Sequence, residues 1–525
     1  MTPTMRTRAL SLPAQRTLVV ACCTALSSMC HLQAFAQDAT QPPAAAEVPP
    51  RAGIWVEPRV TVGATLTNNG TLASTNPQSE QVLEVSPGVR AILNKPRAKG
   101  FFDYSLTSLY HAQGTSGDNF RNALNANMTF EAVDNTVFLD ASGIMSDEVI
   151  SAFGTQSSGR SDINRASTAS FRLSPYVRGT LGGRVNYELR YSAEALDTDA
   201  AVRSDITVQS LSVRMRSELT GQSLGWSFDA STQDAEYSLG RRTRSDTVQG
   251  GLLYALNPQV LVTVTAGVEA NDVITLTRES YNTAGLNFDW RPSDRTRLQA
   301  GIQRRYFGTG HNVSFEHRTG RTVWRYTDTR DVVNSPLESA DASLGSIYGL
   351  LDSLYTSQEP DPIRRAQLVE AELVRLGLPP DARVFQSFLS SSATLDRSQQ
   401  LSVALVGQRD VITLSLGRGD SRRLDPTLNL GDDFDIGGPI RQQSWGVNYA
   451  HRLTPITTYT IGLASQKNKS TVAGLDNRLT SFTLGLSTRI SLRTSGSLQF
   501  QRTDYDRAIG SYGETAISAF ITHRF

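Results

Sequence analysis

Cysteine is almost absent from this chain of 525 residues. The three that occur, Cys22, Cys23 and Cys30, all lie in the first 36 residues. This segment has the pattern of a signal peptide that is cleaved on export, as described below. The mature protein would then have no disulfide and no cysteine-based metal site. A large protein in an oxidising compartment then needs another source of stability, and a closed β-barrel supplies one because it leaves no open sheet edge.

The sequence also lacks an excess of charge of either sign. It has 51 Lys and Arg against 50 Asp and Glu, a formal net charge of +1. This balance gives no basic surplus for nucleic acid, so no nucleic-acid partner is predicted. Lysine is scarce, whereas Arg, Thr, Ser and Gly are plentiful. That mixture suits strands with one polar face joined by glycine-containing turns.

The N-terminus has the pattern of a secretory signal peptide at residues 1–36. A basic start with Arg6, Arg8 and Arg16 precedes an uncharged stretch, and Ala34-Phe35-Ala36 is a small-x-small cleavage pattern. A membrane anchor is the weaker alternative, because the uncharged stretch is too polar to hold a helix in lipid. Residues 37–53 are rich in Pro and Ala and predict a periplasmic lead-in.

From Ile54 to the end, apolar and polar residues alternate. Val185, Tyr187, Leu189, Tyr191 and Ala193, for example, alternate with polar residues. Period two with one apolar face is the pattern of a β-strand. The polar set includes charges in mid-strand, which a wet barrel interior tolerates better than the core of a soluble sandwich. We predict that these charges face a lumen: Arg90, Glu131, Asp140, Arg172, Glu188, Arg190, Arg214, Arg216 and Asp229.

Segment length and connections also favour a membrane barrel. The segments are about 9–11 residues long, enough for a tilted strand to cross a bilayer. Short turns alternate with long polar loops, as in outer-membrane barrels. The sequence therefore predicts an all-β, transmembrane, antiparallel up-and-down barrel over residues 54–525, with about 22 strands (20–24). An even count puts both termini in the periplasm.

Aromatic residues support this orientation. Trp55, Trp226, Trp290 and Trp324 each lie near the first strand's start or a short turn, and we predict that they form an aromatic girdle. The last strand has Ile521, His523 and Phe525 on one face, and the chain ends on Phe525. A terminal aromatic on an amphipathic strand resembles the signal that the barrel-assembly machinery reads, so these three residues and that partner are predicted.

One segment breaks the alternation. Asp361-Pro362 has the pattern of a helix start, and apolar residues then recur at helical spacing up to Gly377. Residues 335–395 are therefore predicted to be a helical insert in an outer loop. The sequence leaves two interpretations of this insert open. It is either a functional element, namely a cap, an inward-folded constriction or a partner-binding element, or a surface excursion with its own small core. Barely a linker precedes the first strand, so no N-terminal plug is expected, and the insert or inward loops are candidates to fill the lumen.

No arrangement in the sequence predicts catalysis or a cofactor. Gly221-Gln222-Ser223-Leu224-Gly225 matches a hydrolase string but lies in a turn between strands. Asp432, Asp433 and Asp435 are a weak calcium candidate, and a solvated acidic loop is the stronger interpretation. We therefore expect no enzyme.

Two stretches resemble a known family. They are Arg305-Tyr306-Phe307-Gly308 with its continuation to Val332, and Val85-Ser86-Pro87-Gly88-Val89-Arg90. They resemble the outer-membrane protein family associated with the PEP-CTERM/exosortase system. The resemblance implies a surface role in polysaccharide export or biofilm matrix, with polysaccharide or export-system proteins as partners, and it supplies no catalytic residues.

Two function classes stay open. One is a conduit in the Gram-negative outer membrane, for polysaccharide or, as a porin, for small solutes. The other is a surface scaffold with a plugged lumen. In both cases we expect the protein to reach the outer membrane by Sec export and to contact outer-membrane lipid and lipopolysaccharide there.

Overall fold

The alternating segments form 22 β-strands in a single closed sheet. The computed structural model describes residues 53–117, 119–155, 163–200, 203–219, 223–334, 351–352, 355, 365, 368–369, 388–427, 432–508 and 510–525. The predicted signal peptide, and all of the predicted lead-in except Gly53, lie outside these residues.

The strands run from 10 residues in β13 to 17 in β6. All but β13 and β14 are longer than the roughly 9–11 residues that span a bilayer, so the ends of the longer strands project beyond the apolar band. Their bounds are β1 Gly53–Thr67, β2 Glu80–Lys95, β3 Ala98–His111, β4 Asn119–Val133, β5 Val137–Val149, β6 Arg165–Leu181, β7 Val185–Thr198, β8 Ile206–Ser217, β9 Leu224–Tyr237, β10 Thr243–Asn257, β11 Val260–Asn271, β12 Glu279–Ser293, β13 Thr296–Arg305, β14 Gly308–Arg318, β15 Thr322–Val333, β16 Thr394–Val406, β17 Asp410–Arg423, β18 Ile440–Thr454, β19 Thr457–Lys469, β20 Asn477–Arg489, β21 Thr494–Arg507 and β22 Tyr512–Arg524.

Each strand pairs antiparallel with its neighbours in sequence, and the first pairs with the last. Arg59–Thr67 of β1 lie opposite Ala516–Arg524 of β22, which closes the barrel. The predicted fold class, an antiparallel up-and-down barrel of about 22 strands, is confirmed. Closure leaves no edge strand whose backbone groups would lack partners in lipid.

The connections differ between the two ends of the barrel. At the end where β1 begins and β22 ends, turns such as 96–97, 182–184 and 258–259 join the strands. Gly182 and Gly183 adopt φ of 56° and 68° there, a region that glycine enters without strain. The other end carries long loops, including 150–164, 334–393 and 424–439. One connection at this long-loop end, 306–307, is nevertheless a tight turn.

The two faces of the sheet have opposite character. Large apolar side chains such as Val264, Leu252 and Leu286 are exposed on the outer face. The alternate positions point to the concave interior, where Glu269 and Val323 are fully buried. An exposed apolar belt around a polar interior is the arrangement of transmembrane barrels.

Helical structure is sparse in the described part of the chain. One short helix, α1 (Asp433–Gly437), lies between β17 and β18. In the predicted insert, residues 351–352, 355, 365 and 368–369 are helical, and the other residues before 388 lie outside the description. No helix among the described residues is long and apolar enough to cross a membrane.

Candidate functional site: a charged interior beneath an outer closure

Ion pairs line the interior along β5, β6 and β7. Arg190 lies 2.9 Å (Nη1) from Asp140 and 3.0 Å (Nε) from Glu188, and Arg172 Nη2 lies 2.8 Å from Glu194. These residues occupy alternate positions of adjacent strands, so opposite charges meet across the sheet. Pairing of this kind lets a barrel keep many charges inside.

Aromatic rings hold two of the interior arginines. The Arg190 guanidinium lies 3.8 Å from the ring centre of Tyr176, and Arg178 lies 4.2 Å from that of Phe138. The two rings stack on each other at 5.0 Å. Cation–π contacts of this kind fix the direction of the side chains. The sequence pattern did not identify Phe138, Tyr176 or Arg178 as parts of the interior.

All nine charges predicted to face a lumen lie at interior positions. Arg90 is opposite Asp103, Glu131 opposite Phe138, and Arg214 opposite Asp229. Arg178, Arg214 and Arg216 line an open pocket of about 610 Å³ near the short-turn end, together with Glu188 and Asp229. Three arginines against two carboxylates give this pocket a positive balance.

The interior wall formed by β17–β21 has a different composition. Apart from arginines near the strand ends, its interior positions carry no charge, and they are rich in hydroxyl groups, amides and glycine. Examples are Thr413, Ser444, Gln466, Thr483 and Gln499. The lumen therefore has a charged wall and a neutral hydrophilic wall.

The loop between β5 and β6 reaches across the barrel mouth at the long-loop end. Ala152 O accepts hydrogen bonds from Asn468 Nδ2 at 2.7 Å and Asn477 Nδ2 at 2.9 Å, and Tyr505 Oη donates to Gly154 O at 3.0 Å. Those three side chains belong to the interior wall of β19, β20 and β21. Because these strands are far around the barrel from β5 and β6, the loop has to cross the lumen to reach them.

Other loops join it to form a layer that we call the outer closure, made of residues 150–154, 203–204, 390–392 and 432–437. Asp433 Oδ2 accepts from Ala152 N at 2.6 Å, and its other oxygen lies 3.4 Å from Arg203 Nη2. Arg203 Nε also donates to Ile150 O at 3.1 Å. An apolar cluster of Ala152, Phe153, Phe434 and Ile440 packs beside these contacts. The closure therefore combines an apolar core with hydrogen bonds between loops that are distant in sequence.

The acidic cluster of the sequence takes part in this closure. Asp432 caps α1 by accepting from Phe434 N and also accepts from Ser391 N at 3.1 Å. Asp435 pairs with Arg423. Burial raises the pKa of Asp433, and its hydrogen bonds and the Arg203 charge oppose that rise. In the described part of the chain, no group of three or more His, Cys, Asp or Glu could hold a metal ion. The three aspartates thus contact backbone and side-chain groups of this same chain.

Two described residues of the predicted insert are deeply buried. Leu351 and Val369 are 1% and 0% exposed, and Arg365 Nε lies 2.8 Å from Asp352. Further along the chain, Phe388 forms a parallel bridge with Val149. The end of the insert is therefore attached to the end of β5, next to the outer closure.

The tryptophans predicted to form a girdle divide between the two faces. Trp226, Trp290 and Trp324 are exposed on the outer face near the short turns. Trp55 is not part of that outer set. Exposed Ile54 and Val56 occupy the outer positions of β1, so alternation turns Trp55 to the interior, on the same face as Glu57.

The predicted assembly residues lie on the outer face of β22. Ile521 and Phe525 are 45% and 63% exposed, and the rings of His523 and Phe525 meet edge to face at 4.9 Å. Phe525 N donates to Pro58 O at 3.0 Å, which ties the C-terminus to β1. These residues therefore border the closing seam.

Comparison with known proteins gives similarity of fold only. No protein-family model matches the chain, and no curated protein matches it. Solved structures that are similar include the siderophore receptor PirA from Pseudomonas aeruginosa (8% identity, 91% of this chain and 81% of that chain, TM-score 0.42). The FrpB iron transporter from Neisseria meningitidis is 9% identical over 90% and 81% of the two chains (TM-score 0.48). OccK11 (OpdR) from P. aeruginosa is 10% identical over 90% and 96% (TM-score 0.32).

Proposed function

We propose that this protein is a conduit of the Gram-negative outer membrane whose outer mouth is closed by its own loops. The observation that carries the proposal is the hydrophilic lumen beneath a layer of inward-folded loops. A lumen with a charged wall and a neutral wall is expensive to build for a barrel whose only task is anchoring. The closure explains how so wide a barrel avoids a permanent leak.

We further propose that the cargo is neutral or weakly charged and hydrophilic, with extracellular polysaccharide as the leading class. The uncharged hydroxyl and amide groups of β17–β21 support this, because they can exchange hydrogen bonds with sugar hydroxyls. The resemblance to the PEP-CTERM-associated family supports the same class. A transport role of this kind needs no catalytic group, and a passage for small solutes is the narrower version of the proposal.

The alternative is a surface scaffold with a sealed lumen. One observation favours it: the Arg203 and Asp433 side chains of the closure are only 2% and 6% exposed. A sealed and well-packed plug would serve a barrel that presents its long loops to matrix or partner proteins.

Single-channel conductance of the refolded chain, without residues 1–36, in a planar bilayer separates these functions. We would compare the unmodified protein with the double variant Asn468→Ala/Asn477→Ala, which removes the two side-chain amides that donate to Ala152 O. Asn125→Ala/Asn127→Ala, at interior positions of β4 away from the closure, is the matched control.

Conductance that appears in the closure variant and not in the control supports the closed conduit. Stable conductance in the unmodified protein supports a conduit but contradicts a sealing role of the outer closure. No conductance in any correctly folded form overturns the conduit in favour of a scaffold. Block of the open channel by neutral dextran, but not by a polyanion of the same size, is expected for polysaccharide cargo. The reverse preference would contradict that part of the proposal.

A further inference from the structure

The outer face of β16–β20 carries a concentration of cations next to the long loops. Seven outward-facing basic residues lie on these neighbouring strands, and in the same region their outer positions carry one acid, Asp420. On the flanking strands, Asp328 of β15 pairs with Arg397, and Asp506 of β21 lies opposite Arg478. We call this set the basic sector: Arg397, Arg418, Arg422, Arg441, Lys467, Lys469 and Arg478.

The basic sector borders the apolar belt. Moving along the same outer positions towards the short turns, the next large residues are Leu416, Trp445 and Leu463, which are 41%, 44% and 43% exposed. A tryptophan with exposed aliphatic neighbours marks the interface between hydrocarbon and headgroups. The cations just beyond it therefore lie at headgroup level.

Two other sectors of the barrel carry a different charge on their outer face at the same height along the barrel. At the long-loop ends of β9 and β10, Arg242 and Arg244 pair with Asp234 and Asp246, respectively. Arg278, just before β12, also pairs with Asp246, so charge is nearly balanced there. On β1–β4, the corresponding outer positions include Leu66, Gln81, Tyr110, Phe120 and Asn122, without a charge. The basic sector thus carries a larger surplus of positive charge than either of these two sectors.

Asp420 positions two of the arginines. Arg441 Nε lies 2.7 Å from its Oδ1 and Arg418 Nε lies 3.4 Å from its Oδ2, while the two side chains remain 54% and 50% exposed. A single carboxylate thus holds two guanidinium groups side by side and leaves much of their surface open. Guanidinium groups bind phosphate through paired hydrogen bonds.

We propose that the basic sector binds the phosphorylated headgroup of an outer-leaflet glycolipid, whose acyl chains lie along the apolar belt below Trp445. The inference rests on the membrane placement in the proposed function but not on conduction. The site joins a phosphate-binding cluster to an apolar surface, which a free phosphate ion would not use.

The test is native mass spectrometry of the folded barrel in detergent with bisphosphorylated lipid A as the probe. The triple variant Arg418→Gln/Arg441→Gln/Lys467→Gln is expected to lose affinity by about tenfold or more, because each surface cation contributes to binding anionic lipid. The matched control Arg242→Gln/Arg244→Gln/Arg278→Gln removes three outward-facing cations elsewhere and should leave the affinity within about twofold. Heat-modifiable gel mobility verifies that each variant is folded.

Competition identifies the source of the phosphate. Excess inorganic phosphate should not displace lipid A, and lipid A without phosphates should bind as weakly to the unmodified protein as lipid A does to the triple variant. Equal binding by the unmodified and triple-variant proteins, or full displacement by inorganic phosphate, would overturn the proposal. The binding assay does not depend on ion conduction. A barrel that binds lipid A but never conducts would therefore contradict the proposed conduit and leave the lipid-binding proposal intact.

Discussion

Arg203 and Asp433 form an ion pair with almost no solvent access, and it links two loops of the outer closure. Arg203→Met should weaken the closure, because it leaves the Asp433 carboxylate buried without its cation. Removing one partner of a buried pair costs about 3–5 kcal/mol. We expect faster proteolysis within the outer loops and unchanged resistance of the strands, measured by limited proteolysis and peptide mapping.

Arg242→Met is the control for that substitution. Arg242 also pairs with an aspartate, Asp234, but its side chain is 66% exposed, so the change should have little effect. If both variants are cleaved at the unmodified rate, the buried pair does not hold the closure.

Asp433 also predicts how the closure responds to pH. Burial raises the pKa of its carboxyl above the ordinary value of 3.8, while Arg203 opposes the rise and Asp432 adds to it. The closed state therefore binds the proton more tightly than an open state in which Asp433 is hydrated. Closure should be strengthened as pH falls towards about 4 and weakened as pH rises through the raised pKa.

Protection of the outer loops from a protease that is active at acidic pH measures this response. Asp433→Asn cannot titrate and should show a flatter dependence on pH across the same range. A variant with the same dependence as the unmodified protein would show that another group controls it.

At the scale of the elements, the seam between β1 and β22 contains a close contact at Gly63. Only glycine fits there without a shift of its neighbours. Gly63 faces the interior, and the Phe520 ring lies where a Cβ of residue 63 would be. Gly63→Val should displace this ring and destabilise the seam by about 1–3 kcal/mol, as overpacking does elsewhere. Urea unfolding followed by heat-modifiable gel mobility would show a lower midpoint.

Gly250→Val is the corresponding control in β10. A Cβ there meets no atom within 4 Å, so the midpoint should not fall. Equal destabilisation by both substitutions would indicate a loss specific to valine in a strand and would contradict the importance of the Phe520 contact.

The strands were predictable because their signal is local. Alternation within each segment depends only on neighbouring residues, so about 22 strands could be counted from the sequence. Trp55 shows the limit of this reasoning. Its place near the start of β1 does not tell whether the side chain faces lipid or the lumen, and the exposed neighbours Ile54 and Val56 show that it faces the lumen. The outer closure was beyond sequence reasoning, because contacts such as Ala152–Asp433 and Asn477–Ala152 join residues 281 and 325 positions apart. No periodic pattern in a loop specifies such a pairing.

On the scale of the whole molecule, the interior is divided into a charged and a neutral wall, and the outer face into a basic sector and apolar or balanced sectors. Both divisions follow position around the barrel. Interior ion pairs join residues on the same strand or on strands at most two apart, as Arg172 of β6 with Glu194 of β7 and Arg190 of β7 with Asp140 of β5. A contiguous set of strands can then carry charge while another set stays neutral, which gives one lumen two different surfaces.

This division predicts the ionic selectivity of an opened barrel. In the Asn468→Ala/Asn477→Ala background, Arg214→Gln/Arg216→Gln removes two of the three arginines from the pocket near the short-turn end and leaves Glu188 and Asp229. The reversal potential in a salt gradient should shift towards cations, because charges in a confined lumen act strongly on passing ions. Ser481→Ala/Thr483→Ala on the neutral wall should leave it unchanged. An unchanged potential in the arginine variant would mean that the permeation path avoids this pocket and follows the neutral wall alone.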